Sequence, residues 1–270
     1  KEFRLLGGSL KLTSRGSITG NACFSLAKQA ILRLTTPEKQ SIFLGDVRLE
    51  KGSILSLISR QDLKIKEIFI GDGASAILDI FNNVHFNRIF MENGAVFLGE
   101  KIGRNMTILE VLAQDFVTIL LGVGRDLTVQ RNFQVGNEAA LIRMKAGQNL
   151  KLHELNLGNS VAEMSAAKNL TLGGLKNKDA DVLLATQYGT WSWQDAPVDK
   201  VAMEVSPVDL SKEPSMDTTQ LLSSSSEFNI ARGTEISTLQ QGEEIVKKEL
   251  APHQHYTDEE LDNLLSELLN

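Results

Sequence analysis

A repeat of about 21 residues runs through most of the chain and restricts its fold more than any other feature of the sequence. In each repeat an Asx residue precedes an apolar, a polar and a second apolar residue, and successive Asx positions are 21, 22, 21, 23 and 20 residues apart. These positions are Asp62, Asn83, Asn105, Asp126, Asn149 and Asn169. Periods of this length are typical of solenoids, in which each repeat stacks on its neighbours. The sequence therefore predicts a solenoid.

A second Asx series has the same period and lies elsewhere in each repeat. It consists of Asp72, Asn93, Asp115, Asn137 and Asn159, with spacings of 21, 22, 22 and 22 residues. Each member follows a short apolar run, and a third apolar run, such as 77–80 or 161–164, completes the repeat. Alternation of apolar and polar residues predicts strands, and Gly, Asn and Asp suit the tight corners between them.

Three short strands in a turn of about 21 residues describe one coil of a parallel β-helix, with equivalent strands roughly 4.8 Å apart. We therefore predict an all-β parallel β-helix solenoid over residues 1–193, with coils of about 21–22 residues and a continuous apolar interior. The Asx residues are expected to stack at the corners and to hydrogen-bond to neighbouring backbone, a structural role. Ligand or metal binding is the alternative role for them.

A leucine-rich-repeat solenoid is the alternative fold. The segment 152–159 comes close to the strand-and-Asn signature of that repeat, and a period of 22 residues suits it. However, that repeat requires a helical or 3₁₀ segment in its second half. The stretches 76–80 and 117–121 are instead continuous and rich in β-branched residues, which favours the β-helix.

Three segments carry a family resemblance. Residues 123–129, 146–152 and 166–172 resemble the Ala-Gly-x-Asn/Asp-Leu-x-Leu repeats of filamentous-haemagglutinin-type proteins. The resemblance covers roughly residues 61–175 and implies a right-handed β-helix of the kind found on bacterial surfaces. It also implies adhesion as a function, although members of that family are usually longer and richer in Gly, Ser and Thr.

The composition changes after Trp193. Residues 194–270 contain 16 Asp and Glu against 5 Lys and Arg, a net charge of −11, whereas residues 1–193 carry a net charge of +5. Four of the five prolines and the run Ser223–Ser226 also lie in this part. We therefore predict an acidic linker over 194–256, with a possible short helix at 243–250, in place of further coils.

Residues 257–270 are predicted to form an amphipathic α-helix. Thr257 and Glu260 form a capping box, and Tyr256 with Leu261 forms a hydrophobic staple. Five leucines share one face at helical spacing, and they are the predicted partner-binding residues: Leu261, Leu264, Leu265, Leu268 and Leu269. So short a helix requires burial for stability, either as a cap on the solenoid or in the groove of a partner protein. The acidic terminus also resembles the C-terminal signals of bacterial type IV secretion substrates.

No catalytic, cofactor or metal site is predicted. Recurrent Asx positions alternate freely between Asp and Asn, although Asn cannot act as an acid or base. His85 and His153 belong to non-adjacent coils, and 253–255 offers two histidines without an evident third ligand. The single cysteine, Cys23, excludes an intrachain disulfide. Nucleic-acid binding is not expected from a modest positive charge without an aromatic-basic cluster, and no apolar run has the length of a membrane span.

The sequence therefore predicts a non-enzymatic protein-interaction scaffold or adaptor subunit of bacterial type, which would be part of a secretion system or delivered by one. It would bind protein partners through the solenoid faces and the C-terminal helix. A secreted or surface adhesin, or a polysaccharide-binding or polysaccharide-cleaving protein, is the alternative. No signal-peptide core follows Lys1, and the sequence assigns neither a compartment, a partner nor an oligomeric state.

Overall fold

The structure is a computed structural model that describes residues 2–37, 39–136, 140–175, 180–187, 191–193 and 201–204. The strands, in chain order, are β1 (Glu2–Leu5), β2 (Ser9–Thr13), β3 (Ile18–Gly20), β4 (Cys23–Leu26), β5 (Ile31–Thr36), β6 (Ile42–Leu49), β7 (Ile54–Ser59), β8 (Leu63–Ile70), β9 (Ser75–Ile80), β10 (Val84–Met91), β11 (Val96–Ile102), β12 (Met106–Ala113), β13 (Thr118–Val123), β14 (Leu127–Gln134), β15 (Leu141–Ala146), β16 (Leu150–Asn156), β17 (Val161–Ala166), β18 (Leu170–Leu175), β19 (Asp181–Thr186), β20 (Trp191–Trp193) and β21 (Val201–Glu204).

These strands form two parallel sheets, and the predicted parallel β-helix is confirmed. Sheet A contains 11 strands in the order β1-β4-β6-β8-β10-β12-β14-β16-β18-β20, with β3 also paired to β6. Sheet B contains 10 strands in the order β2-β5-β7-β9-β11-β13-β15-β17-β19-β21. Consecutive strands along the chain thus alternate between the sheets through most of the fold. Each coil therefore stacks on the preceding one.

From β6 onward each coil contains two strands, so the prediction of three separate strands was wrong for these coils, whereas the preceding coil has three, β3, β4 and β5. The first two apolar runs of a repeat form one long strand, as Leu63–Ile70 shows. Two consecutive side chains, Lys66 and Glu67, point outward in the middle of this strand, between the inward residues Ile65 and Ile68. The strand bends there without losing its pairing, because β8 and β10 remain in register on both sides of the bend. The coil consequently has three faces but only two strands.

The second strand of each coil excludes the leucine-rich-repeat alternative. Residues Ser75–Ile80 and Thr118–Val123, where that alternative requires a helical or 3₁₀ segment, are strands of sheet B. Sheet B also continues beyond residue 193, since Val201–Glu204 pairs with β19. The stack therefore includes a strand in a segment for which the sequence predicted a linker.

Inward-facing side chains of both sheets form one continuous apolar core. Successive strands contribute aliphatic residues in the same rows, and aromatic rings enter in the middle of the stack. Phe86 of β10 and Phe97 of β11 are almost completely buried, and their ring centroids lie 5.6 Å apart in an edge-to-face arrangement. Because each internal coil buries its apolar side chains against two neighbouring coils, stability is shared along the stack.

The first Asx series forms the predicted ladder at one corner. The Asp62 Oδ1 accepts hydrogen bonds from the Asn83 backbone N–H at 3.1 Å and from its Nδ2 at 3.0 Å. The Asn105 Nδ2 donates to the Asn83 Oδ1 at 3.0 Å, and the Asp126 N–H donates to the Asn105 Oδ1 at 3.3 Å. Asn149 repeats this arrangement, since its N–H and Nδ2 both donate to Asp126 Oδ1. Either Asp or Asn supplies the accepting oxygen, which explains why the two residues alternate.

Replacing Asn105 with alanine is expected to lower the free energy of unfolding by about 1–2 kcal/mol, because the Asp126 N–H and the Asn83 Oδ1 would each lose a partner. Asn105→Asp keeps the accepting oxygen, as Asp62 and Asp126 do in their own coils, and is expected to cost less. Urea denaturation of both variants checks this order. An equal loss of stability in the two variants would contradict the ladder as the source of the effect.

The second Asx series is confirmed only in part. Asp72 and Asn93 precede Gly73 and Gly94, whose φ values are +60° and +68°, in the left-handed region that favours glycine. Asp115 precedes Phe116, which adopts φ +57° although it is not glycine. Asn159 instead follows the left-handed residue of its corner, Gly158 at φ +57°, because this coil reaches its next strand one residue earlier. Asn137 lies outside the described residues.

A β-bulge in β11 inserts an extra residue into sheet B. The register with β9 shifts between Leu98 and Lys101, and the register with β13 shifts between Gly99 and Ile102. This extra residue accounts for the 22-residue spacing between Asn83 and Asn105. It places Glu100 and Lys101 side by side on the outer surface.

Candidate functional site

The five predicted partner-binding leucines lie outside the described residues. The linker over 194–256 and the helix over 257–270 therefore stay predictions, apart from β21. Candidate sites in the described part of the chain lie on the outer faces of the two sheets. There, outward side chains of successive coils form rows, and neighbouring members of a row are about 4.8 Å apart.

The accessible outer face belongs to sheet A. In sheet B, every residue of β5, β7, β9, β11, β13, β15 and β17 is buried or half-buried. In sheet A, by contrast, the outward side chains of Arg48 and Arg88 are exposed, whereas Phe69, Phe90 and Leu112 are half-buried. The C-terminal halves of the long sheet A strands pair in register after the central bend. We call their outer surface the docking face.

Three rows of outward residues make the docking face. The acidic row, named for its four carboxylates, takes one residue at the bend of each sheet A strand from β6 to β16. Its members are Asp46, Glu67, Arg88, Glu110, Asn132 and Glu154. The middle row, two residues further along each strand, is Arg48, Phe69, Phe90, Leu112, Gln134 and Asn156. The third row contains Glu50 and Glu92, each directly after its strand. Within the middle row, Phe69, Phe90 and Leu112 form an unbroken apolar strip.

Ionic contacts connect the acidic row across the coils. The Arg88 guanidinium lies between two carboxylates, with Nη1 3.5 Å from Glu67 Oε1 and Nε 3.4 Å from Glu110 Oε2. The Asn132 Nδ2 donates to the Glu110 Oε1 at 3.2 Å. Because the Arg88 and Glu67 side chains are 45% and 35% exposed, such contacts contribute little to stability, typically about 0.2–1 kcal/mol each. Their importance is that they show how this row holds a guanidinium group.

The apolar strip also carries a cation. The guanidinium carbon of Arg48 lies 5.3 Å from the centroid of the Phe69 ring, within the range of a cation–π interaction. The Arg4 Nη2 lies 3.4 Å from the Glu50 Oε1 in the third row. The Phe90 ring occupies the equivalent position one coil further along and has Glu92 and the Glu110 of the next strand beside it. The face therefore combines aromatic surface with carboxylates on both sides.

The charge of the docking face is opposite to that of the remaining body. Its three rows contain six carboxylates and two guanidinium groups, a net charge of −4. Since residues 1–193 carry +5 in total, the part of them outside these rows carries +9. The electrostatic potential of this face therefore favours cations over anions.

The outer face of sheet B has a different charged cluster. The Arg143 Nε lies 2.8 Å from the Glu163 Oε2, and both side chains are mostly buried. Burial raises the pKa of Glu100, while Arg143, Lys145 and Lys101 oppose the rise. Burial also lowers the pKa of Lys145, against the opposite influence of Glu163 and Glu100. Both shifts favour the neutral form of the group concerned.

The Glu100 shift predicts a pH dependence of stability. Because burial raises the pKa of Glu100 in the folded state, the folded protein binds more protons than the unfolded chain at pH values above the ordinary pKa of 4.5. The contribution of Glu100 to the unfolding free energy therefore falls in this window and is constant above the folded pKa. Glu100→Gln is expected to gain stability relative to the wild type between pH 4 and pH 7. Urea denaturation across this range measures the difference, and parallel profiles would contradict it.

Within the described ranges, His, Cys, Asp and Glu form no group of three or more that could hold a metal ion. The His85 Nε2 lies 3.0 Å from the Asn87 Oδ1 on the sheet A surface, and His153 is exposed in another coil. No helix in this part of the structure has the length and apolarity to cross a membrane.

Several residues of the docking face were not identified from the sequence alone. Phe69, Phe90 and Leu112 are 21 and 22 residues apart, so their shared row was implicit in the repeat.

The extension of the Asx ladder was also missed. The Asp62 N–H donates to the Ser41 Oγ at 3.4 Å, and the Ser41 N–H donates to the Ser17 Oγ at 3.2 Å. Serine thus takes the Asx position in the first coils.

Comparison with known proteins adds no family to these observations. No protein-family model, curated protein or solved structure matches the chain. The β-helix implied by the haemagglutinin-type repeats is confirmed at the level of the fold, whereas no match supports membership of that family or the likeness to secretion substrates.

Proposed function

We propose that the chain is a non-enzymatic protein-interaction scaffold whose docking face binds a partner protein. The observation that carries this proposal is the apolar strip of Phe69, Phe90 and Leu112, which three successive coils hold in register on an outer face. Contiguous apolar surface with a polar rim is typical of protein-binding sites. The rigid stack positions these side chains without the entropy cost of ordering a loop.

The use of the Asx residues supports a non-enzymatic role. Asp62 and Asp126 accept hydrogen bonds from the next coil through their side-chain oxygens. A carboxylate engaged in this way maintains the corner, and Asn performs the same role in the neighbouring coils. The finer part of the proposal is an adaptor subunit of bacterial type, in which the acidic C-terminus serves as a second docking element or as a secretion signal.

The docking face is tested by capture of the native partner. Full-length bait carrying Phe69→Ser, Phe90→Ser and Leu112→Ser is compared with wild-type bait in a lysate of the source organism, and bound proteins are identified by mass spectrometry. The control bait carries Phe43→Ser and Phe81→Ser, which change apolar side chains that are 39% and 60% exposed outside the docking face. Loss of the same partner from the first variant alone supports the proposal. Equal capture by all three baits would contradict it.

The leucine face of residues 257–270 is tested separately. Leu265→Glu with Leu268→Glu is expected to abolish partner capture if this segment docks on another protein. Circular dichroism and a urea titration of the same variant show whether the fold persists. A lower unfolding midpoint with unchanged capture would instead indicate a stabilising cap.

A further inference from the structure

We propose that the docking face recognises an arginine of its partner, with the guanidinium seated on the Phe90 ring between Glu92 and Glu110. The proposal rests on the proposed function and specifies the partner as a protein segment that carries arginine beside apolar residues. It derives from the contacts that the face already makes with its own arginines.

The face shows two ways of holding a guanidinium group. Arg88 lies between the carboxylates of Glu67 and Glu110, at 3.5 Å and 3.4 Å. Arg48 lies over the Phe69 ring at 5.3 Å. Planar guanidinium groups suit both arrangements, because they pair with carboxylates through a fixed fork of donors and stack on aromatic faces.

The repeat reproduces these surroundings one coil further along. Phe90 pairs in register with Phe69, so its ring is the next aromatic surface of the strip. Glu92 is half-buried directly after β10, with its Oε2 accepting the Asp72 N–H at 3.1 Å. Glu110 lies on β12, in register with Arg88. A guanidinium placed on Phe90 therefore lies between Glu92 and Glu110, and it would share the Glu110 carboxylate with Arg88 and Asn132. Leu112 extends the apolar surface for the neighbouring partner residue.

Charge favours an external basic partner over other occupants. The docking face carries a net −4, and residues 194–270 carry −11, so the chain's own acidic segment has the wrong sign for this surface. Nucleic acid and anionic lipid are repelled for the same reason. A basic region of a second copy remains an outcome of the test.

The probe is the synthetic peptide Ser-Arg-Ser-Leu-Ser-Arg-Ser, capped at both ends and titrated into the full-length protein. Peptides with Lys or Glu in place of Arg are the matched ligands. We expect the arginine peptide to bind several-fold more tightly than the lysine peptide, because lysine lacks the planar group, and the glutamate peptide not to bind. Binding should weaken as salt rises.

Two variants locate the binding site. Glu92→Gln with Glu110→Gln keeps the hydrogen-bond acceptors and removes the charges, and we expect about fivefold weaker binding. Phe90→Leu keeps an apolar side chain, removes the aromatic face and is expected to weaken binding about two- to fivefold. Phe43→Leu, the control outside the docking face, should leave binding unchanged. Circular dichroism confirms that each variant is folded.

The possible results separate the two proposals. Equal binding of the arginine and lysine peptides, or unchanged binding by Phe90→Leu, would overturn the arginine site. If the strip variant loses its native partner while the peptide does not bind, the scaffold function stands and the arginine inference fails. Concentration-dependent dimerisation that disappears in Glu92→Gln with Glu110→Gln would identify a second copy as the occupant and likewise overturn an external partner.

Discussion

Replacing Phe86 with alanine is expected to lower the free energy of unfolding by about 3–5 kcal/mol. The Phe86 side chain is fully buried between the sheets, and its ring packs edge to face against Phe97 at 5.6 Å. Truncation removes this contact and leaves a cavity that the coils above and below cannot fill, because their own side chains are fixed by the stacking register. Urea denaturation followed by circular dichroism measures the loss.

Phe43→Ala is the matched control for this substitution. Phe43 belongs to the same sheet, but its side chain points outward and is 39% exposed. We expect a change of about 0.5 kcal/mol or less, since a surface substitution creates no cavity. A similar loss in both variants would show that the alternation assigned to sheet A is wrong.

Replacing Gly124 with alanine is expected to cost about 3 kcal/mol, at the upper end of typical overpacking effects. A Cβ at this position would overlap the carbonyl oxygen of Gly103 in the preceding coil, and a Cβ at Gly147 would overlap the carbonyl oxygen of Gly124. The backbone cannot move away easily, because the Gly124 N–H donates to the Ile102 carbonyl oxygen at 2.7 Å. The three glycines thus permit close stacking at this corner.

Gly174→Ala provides the comparison, because no atom lies within 4 Å of a Cβ placed there. Alanine at such a site reduces the entropy of the unfolded chain, so we expect stability to change by less than about 1 kcal/mol. Thermal and urea unfolding of the two variants measure the difference. Equal midpoints for Gly124→Ala and Gly174→Ala would contradict the close approach of the coils at the glycine corner.

The corners and the interior of the solenoid could be predicted from the sequence because each coil repeats one set of physical requirements. An Asx side chain at position 83 or 105 must serve the backbone of the next coil, and the inward residues must remain apolar. The merging of two apolar runs into one strand was not predictable in this way. The adjacent polar residues Lys66 and Glu67 interrupt the period-two pattern as a turn would, whereas in the structure they mark a bend.

The docking face was not predicted, because the repeat was used to assign the corners and the inward residues, and outward residues were not compared between coils. Phe69 and Phe90 occupy outward positions that appear as isolated exceptions along each strand, and only the register places their rings in one strip. The contact between Arg48 and Phe69 likewise joins neighbouring coils. Glu100 was hidden for another reason, since the bulge in β11 shifts the local alternation.

Hydroxyl-radical footprinting tests most directly whether a partner protein binds on the apolar strip of sheet A. The full-length protein is oxidised with and without its captured partner, and the modified side chains are located by mass spectrometry. We expect oxidation of Phe69, Phe90 and Leu112 to fall when the partner is bound, whereas oxidation of Phe43 and Phe81 should not change. Protection of Phe43 or Phe81 with unchanged oxidation of the strip would contradict it.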